Sequence, residues 1–228
     1  MAPAGDRPSS DSRRPTAAID DGVLSLALPG FVGTEDEARE YAEISAEAVS
    51  TPGICGVVID LRENDGGFIG PMIGGITSLL PEGPFETLVF PRDPAQPEIV
   101  RSIVDGNIVS NEEGVLWESI AGSALDPPPP VAVLISRNTA SAGEHVALAF
   151  IGLEHVRSFG GRTRGLLSGP VERTIYNTVF ALPVAEFGDR WGKIYGDKSI
   201  APDEAAQDSE TESEALAWLQ SEGCPSVQ

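Results

Sequence analysis

The stretch 131-VAVLISRNTASAGEHVALAF-150 changes character at its sixth residue, and that change decides how the chain folds. Val131–Ile135 is an unbroken apolar run, short and partly β-branched, which predicts a strand covered on both faces. Residues 136–140 are polar and turn-forming, and 141–150 then returns to apolar residues at helical spacing. A strand followed by a tight turn and a helix is one half of a layered α/β unit.

Working outward, the same pattern recurs upstream. The run 54-ICGVVIDL-61 predicts a second doubly covered strand, ending in the glycine-paired turn 62-RENDGG-67. Before it, 22-GVLSLALPGF-31 reads as a strand. A helix opens at Thr34, where Thr34 and Glu37 have the spacing of a capping box and acidic residues suit the helix dipole. That helix stops before Pro52-Gly53. Residues 68–80 predict a further helix, and 86-ETLVF-90 a strand. Residues 92–126 read as an insertion with a short helix near 97–105. The stiff 127-PPPP-130 leads into Val131. Beyond the helix, 156-VRSF-159 reads as a strand, 160-GGRTRGLLSG-169 as a loop, 172–185 as an extended pair and 210–221 as an amphipathic helix. The domain plan is an unstructured arm over 1–20, a core over 21–207, and a C-terminal helix and tail over 208–228.

Composition sets limits. The chain has 228 residues, 41% of them apolar, enough for one substantial core. Acidic residues outnumber basic ones 35 to 15, for a formal net charge of -20, which argues against nucleic acid and anionic membranes as partners. No apolar run approaches the roughly 20 residues that span a bilayer, and the N-terminus shows no secretory h-region. Cys55 lies in an apolar run and Cys224 in a polar tail. Those settings predict unpaired thiols and, with the missing leader, a cytoplasmic protein.

Strands alternating with helices predict a largely parallel sheet, whose reactive groups gather in loops beyond the carboxyl ends of its strands. Two loops qualify, 62–67 and 136–143. Ser141 would stand at a helix N-terminus, where it reads equally as a cap or as a nucleophile. The backbone N–H of Ala142, with that of Gly66 or Gly67, could stabilise an oxyanion. His145 shares a helix face with Ser141, so it is the first candidate for general base, and otherwise an edge residue of an apolar face. Glu144 could orient a base or a substrate group, or simply complement the helix dipole. Arg162, Thr163 and Arg164 offer carboxylate recognition or a solvated loop. Two histidines and no cysteine cluster make a transition-metal site a poor fit, and no cofactor is expected.

Four segments in this order resemble the catalytic domain of the tail-specific, or C-terminal processing, serine peptidases. Residues 57-VVIDLRENDGG-67 are similar to that family's strand and Leu-Arg-x-Asn-x-Gly-Gly turn, and 138-NTASAGE-144 to its nucleophile segment, one residue shorter after the Asn. Residues 160-GGRTRG-165 are similar to its Gly-Glu-x-Thr-x-Gly loop, and 201-APDE-204 to its closing Pro-Asp. The resemblance implies an α/β spiral of the crotonase and Clp-peptidase kind with a mostly parallel sheet. It implies Ser141 as nucleophile, and Ala142 with Gly66 or Gly67 as oxyanion donors. The lysine-dyad branch carries Lys after the loop glycine, where this chain has Leu166. A tricorn-like branch uses an N-terminal histidine, and here no histidine precedes His145. The expected partner is a peptide or small acyl substrate, and a homo-oligomer stays open. The alternatives are acyl or enolate chemistry on the same scaffold, and a catalytically inactive binding descendant.

Overall fold

In the computed structural model, residues 13–93, 95–176 and 178–225 are described. The chain runs β1 (Thr16–Asp20), β2 (Val23–Ala27), α1 (Glu35–Val49), β3 (Gly56–Asp60), α2 (Ile69–Gly74) and β4 (Gly83–Val89). It continues through β5 (Ile99–Val104), β6 (Asn107–Ser110), β7 (Gly114–Trp117), β8 (Val131–Ile135), α3 (Ala142–Phe150) and β9 (Val156–Gly160). Last come β10 (Ser168–Ile175), β11 (Thr178–Asp189), β12 (Glu204–Ala205) and α4 (Thr211–Ser221).

These strands form two sheets. The first has the order β1-β2-β3-β8-β9-β12 and is parallel throughout except for the β1–β2 hairpin. The second, in the order β10-β11-β4-β5-β6-β7, is antiparallel. The fold is therefore α/β with a mostly parallel sheet at its centre.

The apolar run of β8 shows why this sheet is buried. Val131, Val133 and Ile135 pack into the main core with α1, α2 and α3, while Ala132 and Leu134 face the opposite side, under Ala215 and Leu219 of α4. Successive side chains alternate between faces, so a strand covered on both sides must be apolar at every position. Each large aliphatic chain buried this way contributes about 1.5–3 kcal/mol. In α1, the capping box between Thr34 and Glu37 forms as its spacing predicts, and the Tyr41 hydroxyl donates to Pro29 O at 2.8 Å. Burial pushes that phenol's pKa up.

Several elements differ from the reading of the sequence. The arm expected over 1–20 lies outside the described residues up to position 12, while Thr16–Asp20 forms β1. Where a helix is expected near 97–105, Ile99–Val104 is a strand. One signal explains both. Asp21-Gly22 and Asp105-Gly106 have positive φ at both residues (45° and 82°, 51° and 76°) and join strands across two-residue loops. Asp-Gly in that conformation is a tight hairpin turn. The helix expected over 68–80 is shorter, α2 followed by a 3₁₀ turn at Thr77–Leu79.

The cysteines are a further correction. Cys55 and Cys224 form a disulfide, with Cα atoms 5.4 Å apart across a sequence separation of 169. The tail after α4 returns to the start of β3, bringing Cys224 to the sheet, where it is 7% exposed. Linear setting concealed this, because α4 must first dock before the two thiols meet.

Candidate active site

Adjacent parallel strands deliver their following loops to the same edge of the sheet. β3 and β8 pair from Val57↔Val131 to Asp60↔Leu134, so the turn 62–67 and the loop 136–141 emerge side by side. Small polar side chains then join them. Thr139 Oγ1 donates to Leu61 O (2.8 Å), Ser136 Oγ to Arg62 O (2.7 Å), and Ala140 N to Asn64 O (2.9 Å). Asn64, fully buried, donates its Nδ2 to Leu28 O at 2.9 Å and accepts the Gly66 N–H at 3.1 Å.

The outcome is close apposition of Gly66 and Ser141. A methyl on Gly66 would lie 3.0 Å from Ser141 Cβ and 3.5 Å from its Oγ. Gly66 and Gly67 have φ of 113° and 117°, a conformation suited to glycine. At Gly67 a methyl would also meet Phe31 O at 1.9 Å. Since Gly66 N–H is already bonded to Asn64, the backbone amides without an acceptor among the described residues include those of Gly67 and Ala142.

Ser141 itself sits at φ 49°, ψ -118°, immediately before α3. Positive φ in a non-glycine residue costs about 1–3 kcal/mol and persists where the surroundings enforce it. Glu144 does much of that enforcing. Its carboxylate is fully buried and accepts Ser141 N–H (2.9 Å), Thr163 Oγ1–H (2.5 Å), Gly165 N–H (2.8 Å) and Leu166 N–H (2.7 Å). One side chain thus fastens the serine turn to the loop 163–166.

The other expected site residues divide. Thr163 is buried, with its hydroxyl donating to Glu144 and accepting from Ile200 N–H at 2.8 Å. Arg162 is exposed and bonds Ser199 through Nε at 2.9 Å. Arg164 is exposed, and its backbone N–H donates to Thr139 O at 2.9 Å. Leu166 is 46% exposed, and its N–H shares a Glu144 oxygen with that of Ser141.

His145 meets a different arrangement from the one its spacing suggests. Its Nδ1 pairs with the fully buried carboxylate of Glu86, and its ring packs edge-on to Phe187 with centroids 4.3 Å apart. Arg101 holds the other Glu86 oxygen at 2.7 Å. Among the described residues, no imidazole, amine or carboxylate side chain hydrogen-bonds Ser141 Oγ. Glu86 went unnoticed in the sequence. A single acid in the apolar strand 86–90 is the available signal: alternation from the buried Leu88 puts Glu86 inward, and the register shift between Pro84 and Glu86 buries Phe85 as well. His155, near the start of β9, has its pKa lowered by burial and its Nε2 3.4 Å from Leu79 O. Asp60 forms a two-pronged pair with Arg62 (Nη2 to Oδ2 2.6 Å), whose pKa that bond raises, and Asp65 pairs with Arg13.

A serine held at a strand-to-helix turn, between loops carrying these glycines, points to one family of hydrolases. The model of peptidase family S41 matches residues 22–206, and the chain belongs to that family. It is 31% identical over 212 residues to a nisin-resistance protein of Lactococcus lactis subsp. lactis, a match covering 92% of this chain and 64% of that protein's length. A lipoprotein from Streptococcus agalactiae is similar in structure, with a TM-score of 0.77, 26% identity, and coverage of 93% of this chain and 71% of the other. The photosystem II D1 C-terminal processing protease shares the fold, with a TM-score of 0.58, 22% identity, and coverage of 90% and 48%.

Proposed function

We propose that this chain is the catalytic core of a serine peptidase in which Ser141 is the nucleophile. The observation that carries the reading is the enforced backbone of Ser141, held against Gly66 while the N–H groups of Ala142 and Gly67 have no acceptor among the described residues. In the reaction, Ser141 Oγ attacks the scissile carbonyl and its proton leaves to a base. The carbonyl oxygen becomes an oxyanion, which the Ala142 and Gly67 amides stabilise; one such donor is worth about 10²–10³-fold in kcat. Collapse expels the amine with a proton, and water then releases the acyl group from Ser141. The loop glycines let the substrate backbone come close, and the helix N-terminus adds a favourable dipole.

Glu86, paired in turn with Arg101, holds Nδ1 of His145, which supports an oriented imidazole one turn along the helix from Ser141 as the candidate proton acceptor. The substrate class is a peptide, in keeping with the family and with the nisin-resistance relative. The disulfide supports an oxidising compartment. A fluorophosphonate probe together with peptide hydrolysis tests the assignment. Labelling at Ser141 and loss of both signals in Ser141→Ala are expected. Peptide turnover that survives Ser141→Ala would overturn it in favour of acyl or enolate chemistry on this scaffold. Peptide binding without labelling or turnover would instead indicate a non-catalytic descendant.

A further inference from the structure

Two arginines precede β1, and the local backbone sends them opposite ways. Pro15 biases the residue before it, Arg14, to an extended conformation, in which successive side chains alternate. Arg13 accordingly reaches the glycine turn, pairing with the Asp65 carboxylate through Nη2 and donating Nη1 to Glu63 O at 3.3 Å. Arg14 pairs with Glu40 of α1 at 2.8 Å. Pro15 is buried between strand and strap, but both arginines are exposed and border a hollow of about 320 Å³, lined also by Leu28, Pro29, Asp60 and Glu63. Arg13 therefore grips the turn through polar bonds, with little packing beneath it.

The turn has need of such a grip. Gly66 and Gly67 both have positive φ, and glycine takes negative φ as readily. Gly66 O and Gly67 N–H belong to one planar trans peptide and point in opposite directions, so whatever holds that carbonyl also aims the amide. On the inner side, Phe31 N–H donates to Gly66 O at 3.1 Å, and Phe68 N–H donates to Phe31 O at 2.8 Å. On the outer side, Arg13 joins Glu63 to Asp65, the residues flanking the buried Asn64. A methyl on Gly30 would lie 2.6 Å from Gly66 O and 3.2 Å from Arg13 Nη2, so the guanidinium stands beside the same carbonyl and favours its direction.

Resting on the serine-peptidase reading, we infer that Arg13 is a positioning residue: it holds the peptide 66–67 so that the Gly67 N–H faces the oxyanion formed at Ser141. The Arg13 and Asp65 side chains are 44% and 53% exposed, and so open a pair adds little to the stability of the fold. Its effect falls on the choice between conformations of a glycine turn. That effect weakens with salt, because screening at 1 M acts over about 3 Å.

Arg13→Ala, Asp65→Asn and the double variant, each in the full chain, test this. Urea unfolding should keep the wild-type midpoint. Amide exchange at Phe31 and Phe68 should quicken severalfold, and fluorophosphonate labelling of Ser141 should slow about tenfold, a part of what one oxyanion donor is worth. With peptide, kcat should fall while KM holds, since that N–H acts on the transition state. The double variant should lose no more than either single one, and Arg13→Lys, which keeps the charge, should lose less. Raising NaCl from about 0.05 M to about 1 M should bring wild type down to the level of Arg13→Ala and leave that variant where it is. Unchanged labelling or unchanged exchange in Arg13→Ala overturns the inference. Losses that add in the double variant, or that follow an equal fall of the urea midpoint, overturn it as well. Quickened exchange in a protein whose wild type is never labelled would keep Arg13 as the hold on the turn and reject the peptidase reading.

Discussion

Replacing Glu144 with glutamine removes a charge and exchanges one oxygen for an NH₂ group at a carboxylate that accepts four hydrogen bonds. The amide must choose an orientation. With NH₂ towards Thr163, the threonine hydroxyl can turn to accept, since it already accepts only from Ile200 N–H, and the Gly165 N–H is orphaned. With NH₂ on the other side, both Ser141 N–H and Leu166 N–H face a donor. The first choice is better and still leaves one buried N–H unpaired, at about 1–3 kcal/mol. Three remaining bonds lose their charge assistance, while relief from burying an anion offsets part of that loss. The expected net destabilisation is about 2–4 kcal/mol by urea unfolding. Faster amide exchange should appear at Gly165, and serine labelling should fall in part, because the neutral amide oxygen holds the Ser141 N–H less strongly than the carboxylate does. Glu144→Ala, with all four donors released, should cost more than the glutamine. Unfolding within about 0.5 kcal/mol of wild type for Glu144→Gln, with unchanged exchange at Gly165, would refute this account of what holds the serine turn.

Gly66→Ala places a methyl 3.0 Å from Ser141 Cβ at φ 113°; a loss of about 1–3 kcal/mol and a marked drop in serine labelling should appear in unfolding and probe assays. Breaking the disulfide with Cys55→Ser should cost about 3–5 kcal/mol for a closure of this length, and reductant should lower the wild type to the same urea midpoint while leaving the variant unchanged. His155, its pKa lowered by burial, stays neutral in the folded state at pH values where the unfolded chain takes up a proton. Stability should therefore fall as pH drops through about 6.5 and level off below the folded-state pKa, and a His155→Gln variant should show a flatter profile.

The centre of the fold was open to reading because its signals are local. Val57–Ile59 and Val131–Ile135 are apolar at every position, so they must be covered twice, and their glycine and serine loops must meet. The edges were harder for a physical reason. At Asp21-Gly22 and Asp105-Gly106 the turn chemistry is plain once noticed, but the strands that precede them, β1 and β5, are largely exposed or half-buried and show little alternation. The site divided in the same way. Ser141, Gly66 and Gly67 come together through strand pairing that the sequence implies. The roles of Glu86 and His145 depend on a second sheet folding over the first, and the disulfide on a helix docking from the far end of the chain. Neither distance is written in any short window.

The Cys55–Cys224 bond closes a covalent ring around most of the domain, and this changes what a protease can do to the protein. A single cut in the 118–127 connection, outside both sheets, separates a piece carrying β3 and Gly66 from a piece carrying β8 and Ser141. The two cannot drift apart, because Cys55 lies in one and Cys224 in the other. Clipped protein would run as one band until reduced. It would keep its halves at the high effective concentration of a tethered pair, so the serine and its glycines could re-pair after local opening. In a setting rich in proteases, one nick in that connection then leaves the molecule in service.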